Sequence, residues 1–310
     1  MGLYSAIRDP QSAIGWGVPM TFQERLQENK FSVTCEINPP KGAEAAEKLE
    51  EAEALKGRVD AVAVTDGKSS VMAMNPLVMS YLLQRKGFET LLHVSCRDRN
   101  RLALQSDLLG AAALGIGNLV VTTGDYSSMG DHPQTKPVFD LDSVQLLKGV
   151  QKMEKGQDLG GNPLSSRPRF FVGATVSPSP GREAALELQL IRMEKKIAAG
   201  ARFFLTQPVF DVPAFSRFMK RAASFGVPVL AGVLPLKSAS MARFINKNLP
   251  GVFVPEAFIE EIGSAPDRIK ASLGQCARLV QELRGMCQGV HFIPAGWERK
   301  IPLILETARL

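Results

Sequence analysis

The chain is predicted to fold as a (β/α)8 TIM barrel. Short apolar runs, rich in β-branched and aromatic residues, alternate with amphipathic helical stretches almost without exception. There are eight such runs, and polar residues stand at the carboxyl ends of many of them. A doubly wound open sheet is the alternative; the strand count and the spread of polar groups over many strand ends favour the barrel.

The first strand is Phe31–Ile37, stopped by Pro39-Pro40, each of which lacks an N–H and fixes φ. Helix Ala43–Lys56 follows, then strand Ala61–Thr65 and helix Pro76–Lys86, with proline at its start and Gly87 just past its end. Strand Leu91–Cys96 leads to helix Arg101–Leu114, closed at Gly115, and strand Asn118–Gly124 to helix Ser143–Lys155. A Gly, Asn and Pro-rich loop, Asp158–Pro168, precedes strand Arg169–Val176 and helix Arg182–Ala199, closed by Gly200. Strand Phe203–Gln207, helix Val212–Ser224 and strand Val227–Leu234 come next. Between the seventh and eighth strands, Ser238–Asn248, Pro255–Ile262 and Pro266–Met286 supply three helices where one would do. Strand Val290–Pro294 and a closing helix, Trp297–Leu310, complete the pattern. The strands read as buried on both faces, hence as a parallel sheet. Residues 1–30 read as an N-terminal extension and 31–310 as a single barrel domain.

Composition narrows the function. With 310 residues, 45% hydrophobic and 22% charged, the chain has the balance of a globular protein. No apolar run reaches the roughly eighteen residues of a membrane span, and Met1–Met20 lacks a basic-then-apolar leader pattern, so a cytoplasmic location is expected. Cys35, Cys96, Cys276 and Cys287 are scattered, which argues against zinc or an iron–sulfur cluster held by this chain, and Cys35 and Cys96 read as small core residues. The net charge of +6 is spread along helices with few interleaved aromatics, so a basic cleft for a phosphate-bearing or polyanionic small molecule explains it as well as nucleic acid does, and much of it reads as solvated surface.

Glu36 is the sharpest single signal. A carboxylate near the end of an apolar strand costs free energy unless it has a task or a partner, and the end of a barrel strand is where catalytic groups collect. The other strand ends offer Thr65-Asp66-Gly67, His93 to Asp98, Thr122-Thr123-Gly124-Asp125, Thr175 with Ser177, and Thr206-Gln207. The set has acids, amides and hydroxyls but no metal triad and no Ser-His-Asp order, which suits an organic cofactor and a proton transfer. Each has a plainer reading: Asp125 as a turn or cap residue, His93 as a bonded core histidine, Gln207 as a core amide, and Lys195 and Lys196 as helix-dipole partners. Neither a Gly-x-Gly-x-x-Gly nor a Walker motif follows a strand.

Together these motifs resemble the methylenetetrahydrofolate reductase family. The resemblance runs from about Phe31 onward and rests on Cys35-Glu36-x-x-Pro39-Pro40, Val64-Thr65-x-Gly67, His93-x-x-Cys96, Gly124-Asp125, Thr206-Gln207 with Phe210-Asp211, and Gly232-Val233-Leu234-Pro235, in that order. It implies a barrel that binds FAD without a dinucleotide fingerprint and reduces 5,10-methylenetetrahydrofolate to 5-methyltetrahydrofolate. Carried over by position, Glu36 is the general acid, expected to have a raised pKa in an apolar barrel mouth. Asp125 lies near flavin and pterin. Gln207 with Asp125 binds folate. Thr65, His93, Thr123, Gly124, Asp125, Ala174, Lys195 and Lys196 contact the cofactor.

The chain departs from the family at Asp66, where an aromatic is common, at Thr175–Pro180, near Ala239, and at Trp297, which stands where many members carry arginine. Cys96–Arg101, Gly130–Pro133 and Phe139–Ser143 resemble the branch of anaerobes that fix carbon through the acetyl-CoA route, where the reductase works with a separate iron–sulfur partner. The expected electron donor is therefore NADH or a protein partner, the expected assembly an oligomer or hetero-complex, and residues 1–30 a candidate docking element. The alternatives are the same fold acting on a different reduced pterin, or a flavin-binding subunit that scaffolds a redox complex.

Overall fold

A computed structural model describes residues 20–178, 183–249 and 251–310. The first nineteen residues of the candidate docking element, and Ser179 and Pro180 of the departing stretch, lie outside the described residues.

Eight parallel strands close into a barrel in sequence order: β1 Ser32–Ile37, β2 Ala61–Val64, β3 Thr90–Ser95, β4 Asn118–Thr122, β5 Phe171–Val176, β6 Phe203–Pro208, β7 Val229–Val233 and β8 Gly289–Phe292. β8 pairs with β1, so there is no sheet edge. The predicted (β/α)8 barrel is thus observed, and the open sheet is excluded.

The period of two sorts each strand into two environments. Cys35, Ile37, Val62, Val64, Leu92, Val94, Val121, Ala174 and Phe204 face outward and pack under the helices. Ala61, Ala63, Leu91, Val120, Phe171, Phe203, Leu205 and Leu230 face inward and fill the barrel with Phe22 and Leu26. Those last two belong to α1, Phe22–Gln27, which carries a capping box between Thr21 and Glu24. This helix falls inside the stretch read from sequence as an extension. It closes the amino-terminal floor of the barrel, with the Phe22 ring edge-on to Phe203 at 5.3 Å and to Phe171 at 6.2 Å.

The outer helices are α2 Ala46–Glu53, α3 Pro76–Arg85, α4 Arg101–Ala113, α5 Ser143–Glu154, α6 Glu183–Ala198 and α7 Val212–Ala222. As the sequence predicts, α8 Ala239–Asn248, α9 Glu256–Ser264 and α10 Arg268–Leu283 fall between β7 and β8, and α11 Ile301–Ala308 closes the chain. α8 and α9 carry a satellite core of their own, including Phe210, Leu234, Ile245 and Ile262.

Candidate active site

At the carboxyl end of the barrel, Thr34 and Glu36 share the inward face of β1. The β1–β8 register sets Thr34 beside His291. His291 Nδ1 lies 2.8 Å from the Thr34 hydroxyl, and its Nε2 lies 3.4 Å from Glu36 Oε1. With Glu36 ionised, Nε2–H donates to the carboxylate, and Nδ1 bonds the Thr34 hydroxyl. The other carboxylate oxygen, Oε2, accepts from the Lys68 ammonium. Glu36 is 6% exposed. Burial pushes its carboxyl up, but Lys68, then His291 and His93, outweigh burial and hold it well below the usual carboxylate range. The expectation of a raised pKa is therefore overturned. The sequence reading took the mouth as apolar, whereas a cation from the next strand's loop sits on the acid.

Lys68 is delivered by an unusual turn. Gly67 (φ 55°), Ser69 (φ 54°) and Ser70 (φ 59°) are all left-handed, a conformation that costs non-glycine residues about 1–2 kcal/mol each. The turn is fastened to the loop after β4. Ser69 N–H donates to Asp125 Oδ2 at 3.1 Å, and the Ser70 hydroxyl lies 3.1 Å from the Asp125 carbonyl and 2.9 Å from that of Tyr126. Arg97, 4% exposed, donates through Nη1 to Gly67 O at 3.2 Å and Ser70 Oγ at 2.9 Å while its other nitrogens grip Asp98. Asp66, in the place of the family's aromatic, pairs with Arg99 and accepts from Ser95 N–H.

The remaining sequence candidates divide. His93 faces the mouth with Nε2 buried and without a hydrogen-bond partner among the described residues. Burial depresses its pKa to about 4, with Glu36 opposing and His291 and Lys68 adding, so the ring is neutral at pH 7. The Thr65 hydroxyl donates to Asn38 Oδ1 at 2.8 Å. Gly124 (φ 96°) is required: a Cβ there would stand 2.3 Å from Ser95 Oγ and 2.9 Å from Arg97 Cβ. Asp125 and Thr123 are exposed, Thr123 bonding Ser143 at the start of α5. Gln207 is exposed at a register shift between Leu205 and Pro208, and its amide has no hydrogen bond among the described residues. Lys196 reaches from α6 to the Thr175 carbonyl at 2.7 Å; burial lowers its pKa to about 8, with Arg192 adding and Asp142 opposing. Lys195 is exposed on the same helix. The Ala174 methyl is fully buried in the outer core, so only its main chain is near the mouth.

Sequence reasoning missed Lys68 and His291 as a partner of Glu36, and it gave Arg97 no role although that residue lies in the strand-end run His93 to Asp98. The alternation Val290-His291-Phe292 held a signal, since two outward apolar neighbours turn the histidine inward. A cavity of about 430 Å³ opens beside the clamped turn, lined by Asp66, Ser70, Met72, Met74, Arg97 and His132 among others. A second hollow, of about 540 Å³, lies at the opposite end of the barrel beside Glu89, Asn118, Arg169 and Arg202. Among the described residues no three His, Cys, Asp or Glu side chains are grouped to hold a metal, and no helix is long and apolar enough to cross a membrane.

The sequence profile of methylenetetrahydrofolate reductase matches residues 21–309. The chain belongs to this family. Its match to a fission-yeast (Schizosaccharomyces pombe) methylenetetrahydrofolate reductase 2 is 22% identical and covers 80% of this chain but 40% of the relative. That to the 5,10-methylenetetrahydrofolate reductase of Pectobacterium carotovorum is 26% identical over 68% of this chain and 66% of the relative. In Escherichia coli the corresponding figures are 25%, 70% and 68%. Among solved structures, an uncharacterized protein from Clostridium thermocellum, described as binding two copies of 5-methyl-5,6,7,8-tetrahydrofolic acid, superposes with a TM-score of 0.63 at 15% identity over 93% of this chain and 97% of that one. At that identity the likeness speaks for the fold.

Proposed function

We propose that this family member reduces 5,10-methylenetetrahydrofolate to 5-methyltetrahydrofolate with a bound FAD, Glu36 acting as the proton donor. Family membership supports the substrate and the reaction. The observation that carries the residue-level reading is Glu36 itself, held inward at the end of β1 by His291 and Lys68.

The mouth fits a flavin and a pterin. The Nε2 of His93 and the Gln207 amide have no hydrogen-bond partner among the described residues, as a site built for a heteroaromatic ligand requires. Lys196, bonded among the described residues to the Thr175 main-chain carbonyl, is the cation for a cofactor phosphate. Gly124 lets main chain approach closely beside Asp125. Thr65, Thr123 and the main chain of Ala174 complete the cofactor contacts, and Lys195 supplies outlying positive charge.

When bound and reduced, the flavin supplies a hydride to the methylene carbon. The residues supply the rest. Protonated Glu36 gives its proton to the imidazolidine nitrogen that leaves, so that the C–N bond breaks with its electron pair on that nitrogen. The methylene carbon, left double-bonded to the other ring nitrogen as a cation, is stabilised by the Asp125 carboxylate. His291, fixed by Thr34, keeps the Glu36 oxygens oriented through the cycle.

Exposed Val71, Met72, Tyr126, Met129 and Val138 cluster on the loops after β2 and β4, which favours a protein partner as electron source. We assign that partner to the iron–sulfur class. Anaerobic titration of the purified chain, following flavin absorbance, tests this. Bleaching by 5-methyltetrahydrofolate but not by NADH or NADPH is expected. Bleaching by NADH would make the chain self-sufficient, and no flavin after reconstitution with FAD would overturn the enzymatic reading.

A further inference from the structure

Lys68 stands where no reading of the family pattern puts a functional group, and its placement is built rather than incidental. Three left-handed residues shape its turn, and the turn is held from both sides. Arg97 grips the carbonyl of Gly67 and the hydroxyl of Ser70, and Asp125 takes the N–H of Ser69. Gly130 packs directly beneath, since a Cβ there would stand 1.8 Å from the Ser70 carbonyl. The backbone under Lys68 is thus fixed, and the four-carbon stem is the part free to move. The ammonium lies on Glu36 from the solvent side, for the lysine side chain is 36% exposed and the glutamate 8%. The other titratable groups facing Glu36 are His291 from β8 and His93 from β3.

This arrangement conflicts with proton donation on two counts. A carboxylate neutralised by an ammonium carries no proton to give. The reaction also builds a cation beside Glu36, which a fixed ammonium opposes. We propose that Lys68 is a positioning residue that holds Glu36 in its anionic, non-donating form while the mouth is empty, and that substrate must lift the ammonium away before Glu36 donates. The inference rests on Glu36 being the proton donor.

The test uses full-length flavoprotein, reduced with dithionite and mixed with 5,10-methylenetetrahydrofolate, with flavin reoxidation followed from pH 9 down to the lowest pH at which the flavin is retained. The saturating rate reports the complex, and that rate divided by the apparent Kd reports the free enzyme. In the wild type the free-enzyme profile bends at lower pH than the saturating profile, because Lys68 is in place only before binding. In Lys68→Met the free-enzyme bend moves up by about one to three pH units, the effect of removing an adjacent opposite charge, and the two profiles coincide. The ratio of variant to wild-type second-order rate rises with pH between the two bends and holds at tenfold or more above both. Lys68→Arg keeps the wild-type profiles.

A Lys68→Met rate lowered by the same factor at every pH, with an unmoved bend, marks a merely structural lysine and overturns the inference. Failure of the underlying reading looks different: Glu36→Gln would then keep the wild-type rate and profile.

Discussion

Replacing Phe22 with alanine tests whether the short amino-terminal helix is part of the barrel. The ring is fully buried and meets Phe203 and Phe171, which stack on each other at 5.1 Å. An aromatic side chain buries about 150–250 Å², worth about 4–6 kcal/mol at about 25 cal/mol per Å². Measured Phe-to-Ala losses in cores, about 3–5 kcal/mol, agree. Against a total stability of about 5–15 kcal/mol, that is about a fifth or more. For 310 residues at about 2.1 cal/mol/K each, the unfolding entropy is about 0.65 kcal/mol/K, so the Tm falls by about 5–8 °C. Urea melts and calorimetry read both numbers, and Leu26→Ala should cost about 2–5 kcal/mol by the same mechanism. Losses below about 1 kcal/mol in both variants would mean that α1 is an appendage lying on a barrel already complete without it.

Gly124→Ala should cost about 2–5 kcal/mol, from a left-handed φ and the clash with Ser95 and Arg97, and should weaken 5-methyltetrahydrofolate binding; wild-type melts and affinity would dismiss the close-approach role. His93 gives a pH dependence. Its folded pKa of about 4 lies below the unfolded value of about 6.5, so its contribution is complete above pH 6.5 and is lost as pH falls toward 4, by about 2 kcal/mol at pH 5. Urea midpoints at pH 7, 6 and 5 should fall more steeply in the wild type than in His93→Gln, and parallel lines would refute a buried neutral ring. Glu36, shifted down from about 4.3, loses its contribution only at lower pH still. Lys196→Met should weaken FAD binding about tenfold, or about 1.4 kcal/mol, with little change in folate affinity; unchanged FAD retention on gel filtration would take Lys196 out of the cofactor site.

What was legible in the sequence follows from what is local. Each strand carries its own apolar run and each helix its own stop, so all eight repeats and the three extra helices could be read off. Glu36 was legible because an acid inside an apolar strand conflicts with its surroundings. α1 was not, because six residues hold too little periodicity to declare a helix; its burial comes from Phe171 and Phe203, far away in the chain. Lys68 was hidden for a different reason. Ser69 and Ser70 carry no signal for a left-handed backbone, as Gly or Asn would. The direction of the Glu36 shift was missed because it depends on a charge thirty-two positions away.

The alternation along β1 ties fold to chemistry. Ser32, Thr34 and Glu36 point the same way at successive depths. The first bonds a floor carbonyl at Lys30, the second orients His291, and the third is the acid. A one-residue slip would turn all three into the outer core and Cys35 and Ile37 into the barrel. The register that closes the barrel is therefore the same constraint that assembles the site. The Lys68–Glu36 pair is the exception to this economy. With the carboxylate buried and the lysine side chain 36% exposed, the pair contributes little net stability, and an apolar pair of similar volume would serve the fold as well or better. The left-handed serines add further cost, and the Arg97 and Asp125 contacts hold them in place. That cost is borne at the mouth of the barrel, where the proposed control of Glu36 by Lys68 gives it a use.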